Sequence, residues 1–187
     1  PMTGKQAGPD TGAPESFASF EDLFAAFAAQ TAHMFKTLHR YGCIAKKIKG
    51  DAVPTSFRSC MYDGCLEHGK HEFDGGAHYC LDYSISTAGV DAANSLAAVK
   101  HLVYDTGKLS MADLRAALNA NFEGFEKIQK LCLDAPKYGN GDAETDALVQ
   151  RVYTCSMDKY KEAGGSYFDD DSGNLEAYSL SIHNYYG

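Results

Sequence analysis

The sequence predicts a helix-rich α/β fold for these 187 residues. Apolar residues recur at helical spacing along most of the chain, whereas two short segments carry the patterns of strands. The composition, with 44% apolar and 22% charged residues, is that of a globular domain with a packed core. These observations together indicate one soluble domain in which helices outnumber strands.

The charge balance excludes two classes of partner. Asp and Glu outnumber Lys and Arg by 25 to 17, so the formal net charge is −8. Such a chain repels nucleic-acid phosphates and anionic lipid surfaces. The longest apolar runs fall well short of the roughly 18 residues that a membrane span needs, and the N-terminus lacks a basic region leading into an apolar one. We therefore expect a cytoplasmic protein with neither nucleic acid nor membrane as a partner.

The cysteines favour a reducing compartment. Their number and wide spacing differ from the dense disulfide frameworks of small secreted domains. Free cysteine is among the most buried residue types, so we expect most of these thiols to be reduced and packed in the core. The six positions are 43, 60, 65, 80, 132 and 155.

The first helix is predicted by a cap followed by an apolar stripe. Residues 1–17 are rich in Gly, Pro, Thr and Ser and are expected to form an extended lead-in. Ser19 is a suitable N-cap, and Asp22 lies in the first turn, where an acid favours the helix dipole. Apolar residues then continue at helical spacing to about Tyr41, and Gly42 is expected to end the helix.

Three elements are predicted in the middle of the chain. A second helix is expected from Pro54, a residue tolerated at the first helical position, to Gly69. The segment Phe73–Thr87 changes from glycines to aromatic and β-branched residues and is the best internal strand candidate. The helical period returns over Val90–Tyr104, and Gly107 follows where a left-handed residue is needed.

The C-terminal part is predicted to alternate helices with loops. Ser110 and Asp113 cap a helix that bends near Glu123-Gly124, and Pro136–Gly141 contains too many Pro, Gly and Asn residues to remain helical. The last predicted elements are a helix over about Glu144–Ala163, an acidic loop over Gly164–Asn174 and a strand over Tyr178–His183.

A group of potential zinc ligands also has a plainer interpretation. Cys60, Cys65, His68 and His71 fall within twelve residues of the sequence. Structural zinc sites pair their ligands at short fixed spacing in loops, whereas these residues lie along one predicted helix. At about 3.6 residues per turn, the two cysteines would be roughly 140° apart. We therefore expect packed thiols and solvent-side histidines, with no metal site.

Several motifs resemble one enzyme family, the glycyl radical enzymes of the pyruvate formate-lyase group. That family carries an APKYGN turn after an NFEG helix, with a Gly-Gly-Ala-x-Tyr segment upstream. The order and spacing of the motifs agree along nearly the whole chain. The matching segments are Thr3–Gly12, Gly75–Tyr79, Ser95–Asp105, Asn121–Ile128, Ala135–Asn140 and Tyr178–Gly187.

The resemblance implies that residues 1–187 form part of a larger catalytic domain. It implies outer helices and a few strands of a ten-stranded α/β barrel of the pyruvate formate-lyase type. The family's catalytic Gly-Cys-x-Glu loop precedes the Thr3–Gly12 region, and its Arg-Val-x-Gly-Tyr radical loop follows the matched part. Gly64-Cys65-Leu66-Glu67 imitates the catalytic loop, but it aligns with a family helix and we interpret it as a coincidence. Residues 1–187 are therefore expected to contain no catalytic residue and to be inactive alone.

Tyr178 is the one predicted substrate-binding residue. It matches a tyrosine that dehydratases of this family place on a barrel strand beside the substrate, and a phenol can hydrogen-bond a hydroxyl or carboxylate group. Ser181 and His183 are weaker candidates, because strand alternation would turn them away from the face of Tyr178. A buried structural tyrosine is the alternative at Tyr178.

The resemblance implies an oxygen-sensitive lyase reaction on a small organic substrate, without naming it. After Tyr79 the family's glycine-rich turn is replaced by Cys80–Val90, so glycerol and choline are disfavoured. Dehydration, decarboxylation of an arylacetate and addition of an aromatic to fumarate remain open. The resemblance further implies homodimers, a glycyl radical elsewhere in the enzyme and activation by a radical S-adenosylmethionine iron–sulfur enzyme.

Other interpretations give the same residues a different role. The alternative to a piece of the enzyme is a non-catalytic helical scaffold. As a piece, the chain could be a recombinant fragment, one part of a split radical enzyme or the ordered remainder of a longer chain. As a fragment it would expose strand edges and apolar faces, so self-association or partial disorder is expected in isolation.

Overall fold

The computed structural model describes residues 6–79, 83–164 and 174–178, with the backbone alone for 83–87 and 174–178. The chain divides into two compact units. The first consists of Pro1–Gln30, Thr87–Ser156 and Ala177–Gly187, and the second of Thr31–Ser86 and Met157–Glu176.

Helices account for most of the described residues, which confirms the helix-rich prediction. In chain order the elements are α1 (Phe20–Ala52), α2 (Ser56–Ser59), α3 (Cys65–His68), β1 (Tyr83–Thr87), α4 (Gly89–Val99), α5 (Met111–Asn119), α6 (Glu126–Asp134), α7 (Ala143–Glu162) and β2 (Asn174–Tyr178). Strands β1 and β2 pair in a two-stranded sheet. Among the described helices, none is both long enough and apolar enough to cross a bilayer.

Helix α1 begins as predicted but ends later. The Asp22 amide donates to Ser19 Oγ at 3.2 Å, and the Ser19 amide donates back to Asp22 Oδ2 at 2.9 Å, which is a reciprocal cap. The prediction that Gly42 ends the helix is wrong, because α1 continues to Ala52. Glycine within a helix costs only about 1 kcal/mol relative to alanine, and the following residues are rich in Ala and Lys, which favour helix.

The region predicted as one helix from Pro54 to Gly69 contains two single turns, α2 and α3. The prediction is wrong between them, because Gly64 adopts φ +92°, a conformation that no α-helix contains. The strand predicted over Phe73–Thr87 is confirmed only at its end, as β1, and a 3₁₀ turn occupies Glu72–Asp74 instead.

The helices of the first unit follow the predicted boundaries closely. Helix α4 continues into a π-helical turn over Lys100–Asp105, and Gly107 adopts φ +59° beyond it. Ser110 caps α5 by accepting a hydrogen bond from the Asp113 amide. The expected bend is a full break between α5 and α6, with Asn121 and Phe122 also at positive φ. A helix predicted over Glu144–Ala163 is confirmed as α7.

Each unit has its own core. In the first unit, one cluster joins α1, α4 and α7, and a second surrounds the π turn and α5. The first contains Phe20, Phe24, Ala93, Ala97, Leu148, Val149 and Val152, and the second Leu102, Leu109 and Leu114. The core of the second unit is smaller and centres on Phe35 and Tyr160, whose ring centroids are 5.7 Å apart.

Most cysteines in the described part of the chain are not buried. The five described cysteines form no disulfide with one another. Cys65 is the one buried thiol among them, Cys60 is exposed, and the other three are intermediate. The expectation of mostly core thiols is therefore wrong for the described residues. Cys80 lies outside them.

Candidate functional site

The predicted substrate-binding tyrosine ends a strand. Tyr178 is the last residue of β2, which begins at Asn174, so the strand starts earlier than predicted. The partner of β2 in the sheet is β1, the strand that follows the Gly-Gly-Ala-His-Tyr segment. Ser181 and His183 lie outside the described residues. A role for Tyr178 in substrate binding stays a prediction.

The segment Gly75–Tyr79 is folded back against α3 by backbone contacts. The His78 amide donates to the Asp63 carbonyl at 2.9 Å, and the Gly76 carbonyl lies 2.8 Å from His68 Nδ1. A Cβ atom on Gly64 would overlap the His78 ring, and one on Gly76 would overlap the Lys70 carbonyl. Glycines are therefore required on both sides of this close approach.

Side chains reinforce the same fold-back. The rings of His68 and His78 stack with centroids 5.4 Å apart, and His78 Nε2 lies 3.2 Å from Glu67 Oε2. Tyr79 ends the segment with 86% of its surface exposed, four residues before β1. Tyr79 is therefore exposed on the surface of its own unit.

The Gly64-Cys65-Leu66-Glu67 run does not have the geometry of a reactive thiol site. It surrounds the start of α3, whereas the sequence predicted the middle of a helix. Cys65 is 4% exposed, burial raises the pKa of its thiol, and it lines neither cavity described below. Glu67 instead contacts His78. The residues present therefore do not fit a thiyl radical centre. That the run matches the family's catalytic loop by coincidence stays a prediction.

The possible zinc ligands are not on one helix, contrary to the sequence prediction. Cys60 follows α2, Cys65 begins α3, and His71 lies beyond the end of α3. Within the described part of the chain, no three His, Cys, Asp or Glu side chains converge as a metal site would require. His68 is committed to the Gly76 carbonyl and the His78 ring.

Glu72 connects the 3₁₀ turn at Glu72–Asp74 to the residues around α2, and we call it the anchor of this region. Its side chain, 11% exposed, accepts hydrogen bonds from Arg58 Nε at 2.5 Å and from Thr55 Oγ1 at 2.6 Å. Burial raises the pKa of this carboxyl, but the bonds from Arg58 and Thr55 outweigh burial and hold the pKa below its ordinary value. The Glu72 amide also donates to Ser59 Oγ at 3.1 Å.

This lowered pKa predicts a stability loss in acid. The folded state binds the Glu72 proton less tightly than the unfolded state, so its contribution is present above about pH 4.3 and is lost as the pH falls through the folded pKa. We expect Glu72→Gln to lower the free energy of unfolding by about 2 kcal/mol at pH 7, because hydrogen bonds to a charged group are lost. The penalty should shrink toward pH 3. Urea unfolding at several pH values measures it.

The exposed carboxyl of Glu67 offers a matched control. Its side chain is 73% exposed, so Glu67→Gln should change stability by less than about 0.5 kcal/mol. An equal and pH-independent penalty for both variants would show that Glu72 is not an anchor.

The Ala135–Asn140 turn is fixed at both ends. Lys137 Nζ donates to the carbonyls of Cys132, Leu133 and Ala135, which caps the C-terminus of α6 with a positive charge. The Tyr138 amide donates to Asn94 Oδ1 on α4 at 2.9 Å. The motif therefore ties α6 to α4 through the side chain of Lys137 and the backbone of Tyr138.

The start of α7 completes this loop. The Gly139 amide donates to Asp146 Oδ1 at 3.2 Å, and the Thr145 amide donates to Asp142 Oδ1 at 2.7 Å. Hydrogen bonds from Thr145 lower the pKa of the Asp142 carboxyl. An ionised N-cap at this position favours the helix dipole.

A cavity of about 350 Å³ lies in the first unit beside this loop. The sequence did not point to one of its lining residues, Lys100, whose Nζ lies 2.9 Å from Asp105 Oδ2 and 2.5 Å from Glu144 Oε1. The bonds to Glu144 and Asp105 raise the pKa of Lys100. The pairing with Asp105 spans five residues, a separation that the π turn brings together, and the one with Glu144 is tertiary. No sequence signal predicts either.

Arg151 lines the same cavity. Its guanidinium makes a bidentate contact with Glu21, at 2.9 and 2.5 Å, and lies 3.8 Å from the centroid of the Phe24 ring. The cations Lys100 and Arg151 thus both have carboxylate partners. This arrangement fixes α1, α4 and α7 around the cavity. Because its basic groups already have acidic partners, the site is better suited to holding these helices in place than to catalysis.

The comparisons with known proteins agree with the resemblance. The family model described as pyruvate formate lyase-like matches residues 1–187. Trans-4-hydroxy-L-proline dehydratase of Clostridioides difficile is 37% identical over 82% of this chain and 20% of its own length. Isethionate sulfite-lyase of Desulfovibrio desulfuricans is 32% identical over 90% of this chain and 20% of its own length.

Solved structures show the same fold. The glycerol-bound B12-independent glycerol dehydratase from Clostridium butyricum matches with a TM-score of 0.84 and 31% identity, over 98% of this chain and 23% of that one. The hydroxyproline dehydratase from Clostridioides difficile matches with a TM-score of 0.82 and 30% identity, over 100% and 24%. The chain spans about a fifth of the curated relatives it matches. The chain belongs to the pyruvate formate lyase-like family.

Proposed function

We propose that these residues are a segment of a glycyl radical lyase. The match of the family model along residues 1–187 carries the proposal, and the relatives are dehydratases and a sulfite-lyase. The segment contributes helices and strands to a ten-stranded α/β barrel, in which β1 and β2 would be wall strands. The remainder of the enzyme chain, outside the matched part, would supply the catalytic cysteine and the radical loop.

The substrate class that we propose is a small hydroxylated anion. Three relatives are named for trans-4-hydroxy-L-proline, isethionate and (2S)-3-sulfopropanediol. Each of these compounds carries a hydroxyl group together with a carboxylate or a sulfonate. Dehydration or sulfite elimination is therefore favoured over the decarboxylation and aromatic addition that the sequence left open.

The chemistry itself would come from outside this segment. A glycyl radical supplies the unpaired electron that lets a cysteine remove hydrogen from the substrate. The residues of this chain would form walls that exclude water and orient the substrate. An anaerobic cytoplasmic homodimer, activated by a radical S-adenosylmethionine iron–sulfur enzyme, is part of the same proposal.

An electron paramagnetic resonance experiment tests the function. The complete polypeptide containing these residues is incubated anaerobically with its activating enzyme, S-adenosylmethionine and a reductant. A glycyl radical signal is expected, together with turnover of at least one small hydroxylated anion. As a positive control, the same activating enzyme should install the radical on a known relative. If it does so but forms no radical on this protein, the helical scaffold is favoured instead. A radical formed only after a second polypeptide is added would indicate a split enzyme.

Tyr178 provides a residue-level prediction. If its hydroxyl group hydrogen-bonds the substrate, Tyr178→Phe in the complete enzyme should lower kcat/KM by about tenfold to a hundredfold, because one such bond to a charged group contributes about 1.5–3 kcal/mol. The yield of glycyl radical should not change. Tyr138→Phe, at a half-exposed side chain in the Ala135–Asn140 turn, is the matched control. Equal kcat/KM values for the two variants would favour a structural role.

A further inference from the structure

The second half of α1 carries a row of exposed apolar side chains. Their exposed fractions range from 44% to 65%, although the second unit has only a small core. We call this row the α1 stripe. Its members are Met34, Leu38, Tyr41, Ile44 and Ile48.

The α1 stripe has the geometry of a helix-packing surface. Met34, Tyr41 and Ile48 are seven residues apart, and Leu38 and Ile44 lie three or four residues from them, so the five side chains share one face of the helix. At about 1.5 Å per residue, the stripe is about 21 Å long. The side of a helix that faces water is normally polar, whereas the α1 stripe is apolar.

The opposite side of the same helix is already packed. Phe35 is 4% exposed, and its ring contacts Tyr160 of α7 edge to face. The stripe is therefore a second apolar face, which no described element covers. Large exposed apolar patches mark interaction sites, because leaving them in water is unfavourable.

The charges around the stripe restrict what can cover it. The chain as a whole has a net charge of −8, but residues 31–52 contain five basic side chains and one acid, Asp51. The exposed basic side chains lie on both sides of the stripe, with Lys36, Arg40 and Lys47 on one side and Lys49 on the other. Lys47 Nζ already lies 3.4 Å from Asp51 Oδ2, and Lys49 Nζ lies 5.6 Å from the centroid of the Phe73 ring. Lys36 and Arg40 therefore contribute most of the positive charge that an occupant would meet. An occupant with acidic flanks would complement this charge.

A second copy of the chain fits poorly. Pairing two α1 stripes would bring the basic flanks of one helix against the basic flanks of the other, in either relative direction. Like charges facing each other across an interface are unfavourable. The occupant should therefore differ from α1.

We propose that the α1 stripe is the docking surface for an amphipathic helix with acidic flanks, supplied by the part of the complete polypeptide outside these 187 residues. The inference rests on the proposed function, in which about four fifths of the enzyme lies outside the matched part. The basic flanks orient that helix, and its apolar seam fills the stripe by knobs-into-holes packing. The surface is thus an internal interface of the complete enzyme.

Photo-crosslinking in the complete polypeptide tests this surface. The variants Tyr41→p-benzoylphenylalanine and Ile48→p-benzoylphenylalanine are irradiated, and the crosslinked peptides are identified by mass spectrometry. We expect each to link, within one polypeptide, to a helix outside residues 1–187 that carries Asp or Glu beside an apolar seam. Gln150→p-benzoylphenylalanine, at an exposed position of α7, should not link to that helix.

Three results would overturn the proposal. They are a crosslinked product of twice the polypeptide mass, links confined to residues 1–187, and no crosslink at either position of the stripe. The readout does not depend on the radical. A protein that forms no glycyl radical but gives the expected crosslinks would refute the proposed function and leave the docking surface standing.

Discussion

Replacing Gly76 with alanine is expected to lower the free energy of unfolding by about 3 kcal/mol, the upper part of the usual range for overpacking. The new Cβ atom would overlap the backbone carbonyl of Lys70 and lie 3.0 Å from the carbonyl oxygen of His71. Backbone atoms cannot rotate away as a flexible side chain can. The Gly76 amide and carbonyl are also held in place, by His71 and His68 respectively.

Urea unfolding of the complete polypeptide that contains these residues, followed by circular dichroism, measures this loss of stability. Gly69→Ala is the matched control, because Gly69 has φ +61° and no atom within 4 Å of an added Cβ. Its free energy of unfolding should fall by only about 1 kcal/mol, the cost of placing alanine in the left-handed conformation. Equal losses in the two variants would mean that backbone conformation, and not the close approach to Lys70, makes Gly76 necessary.

Leu102→Ala is expected to lower the free energy of unfolding by about 3 kcal/mol through a different mechanism, the loss of core packing. Leu102 is 2% exposed in the π turn and packs against Leu109 and Leu114. Its carbonyl also accepts a hydrogen bond from the Leu109 amide at 3.1 Å, so the surrounding backbone is anchored and cannot fully collapse into the new space.

The same substitution on the surface of α6 separates burial from helix propensity. Leu133 is 64% exposed, so Leu133→Ala should change stability by less than about 0.5 kcal/mol in the same urea experiment. Leu102 also lines a neighbouring groove of about 390 Å³. A loss of unfolding free energy below about 1 kcal/mol for Leu102→Ala would indicate that Leu102 is already loosely packed beside this groove.

The predictions from sequence succeeded where a helix end is set by nearby residues. Ser19 and Ser110 are caps because a hydroxyl three residues from an acid can satisfy free amides within a single turn. Gly107 takes the left-handed conformation for an equally local reason. Such signals do not depend on the rest of the fold.

Predictions failed where packing decides between local options. Gly42 permits either a helix end or a continuing helix, and α1 continues. Gly64 breaks the expected second helix, where the chain must pass close to His78. A local pattern contains no information about the segment that will approach it.

The sequence by itself determined the family, the predominance of helices and the motif segments Gly75–Tyr79 and Ala135–Asn140. Motifs and local hydrogen bonds depend on residues that are close together in the chain. Only the tertiary structure decided that Lys100 joins Asp105 to Glu144, that Glu72 is an anchor and that α1 has a second apolar face. These features depend on residues distant in sequence. Burial and long-range ion pairs arise when the chain folds, so periodicity alone cannot reveal them.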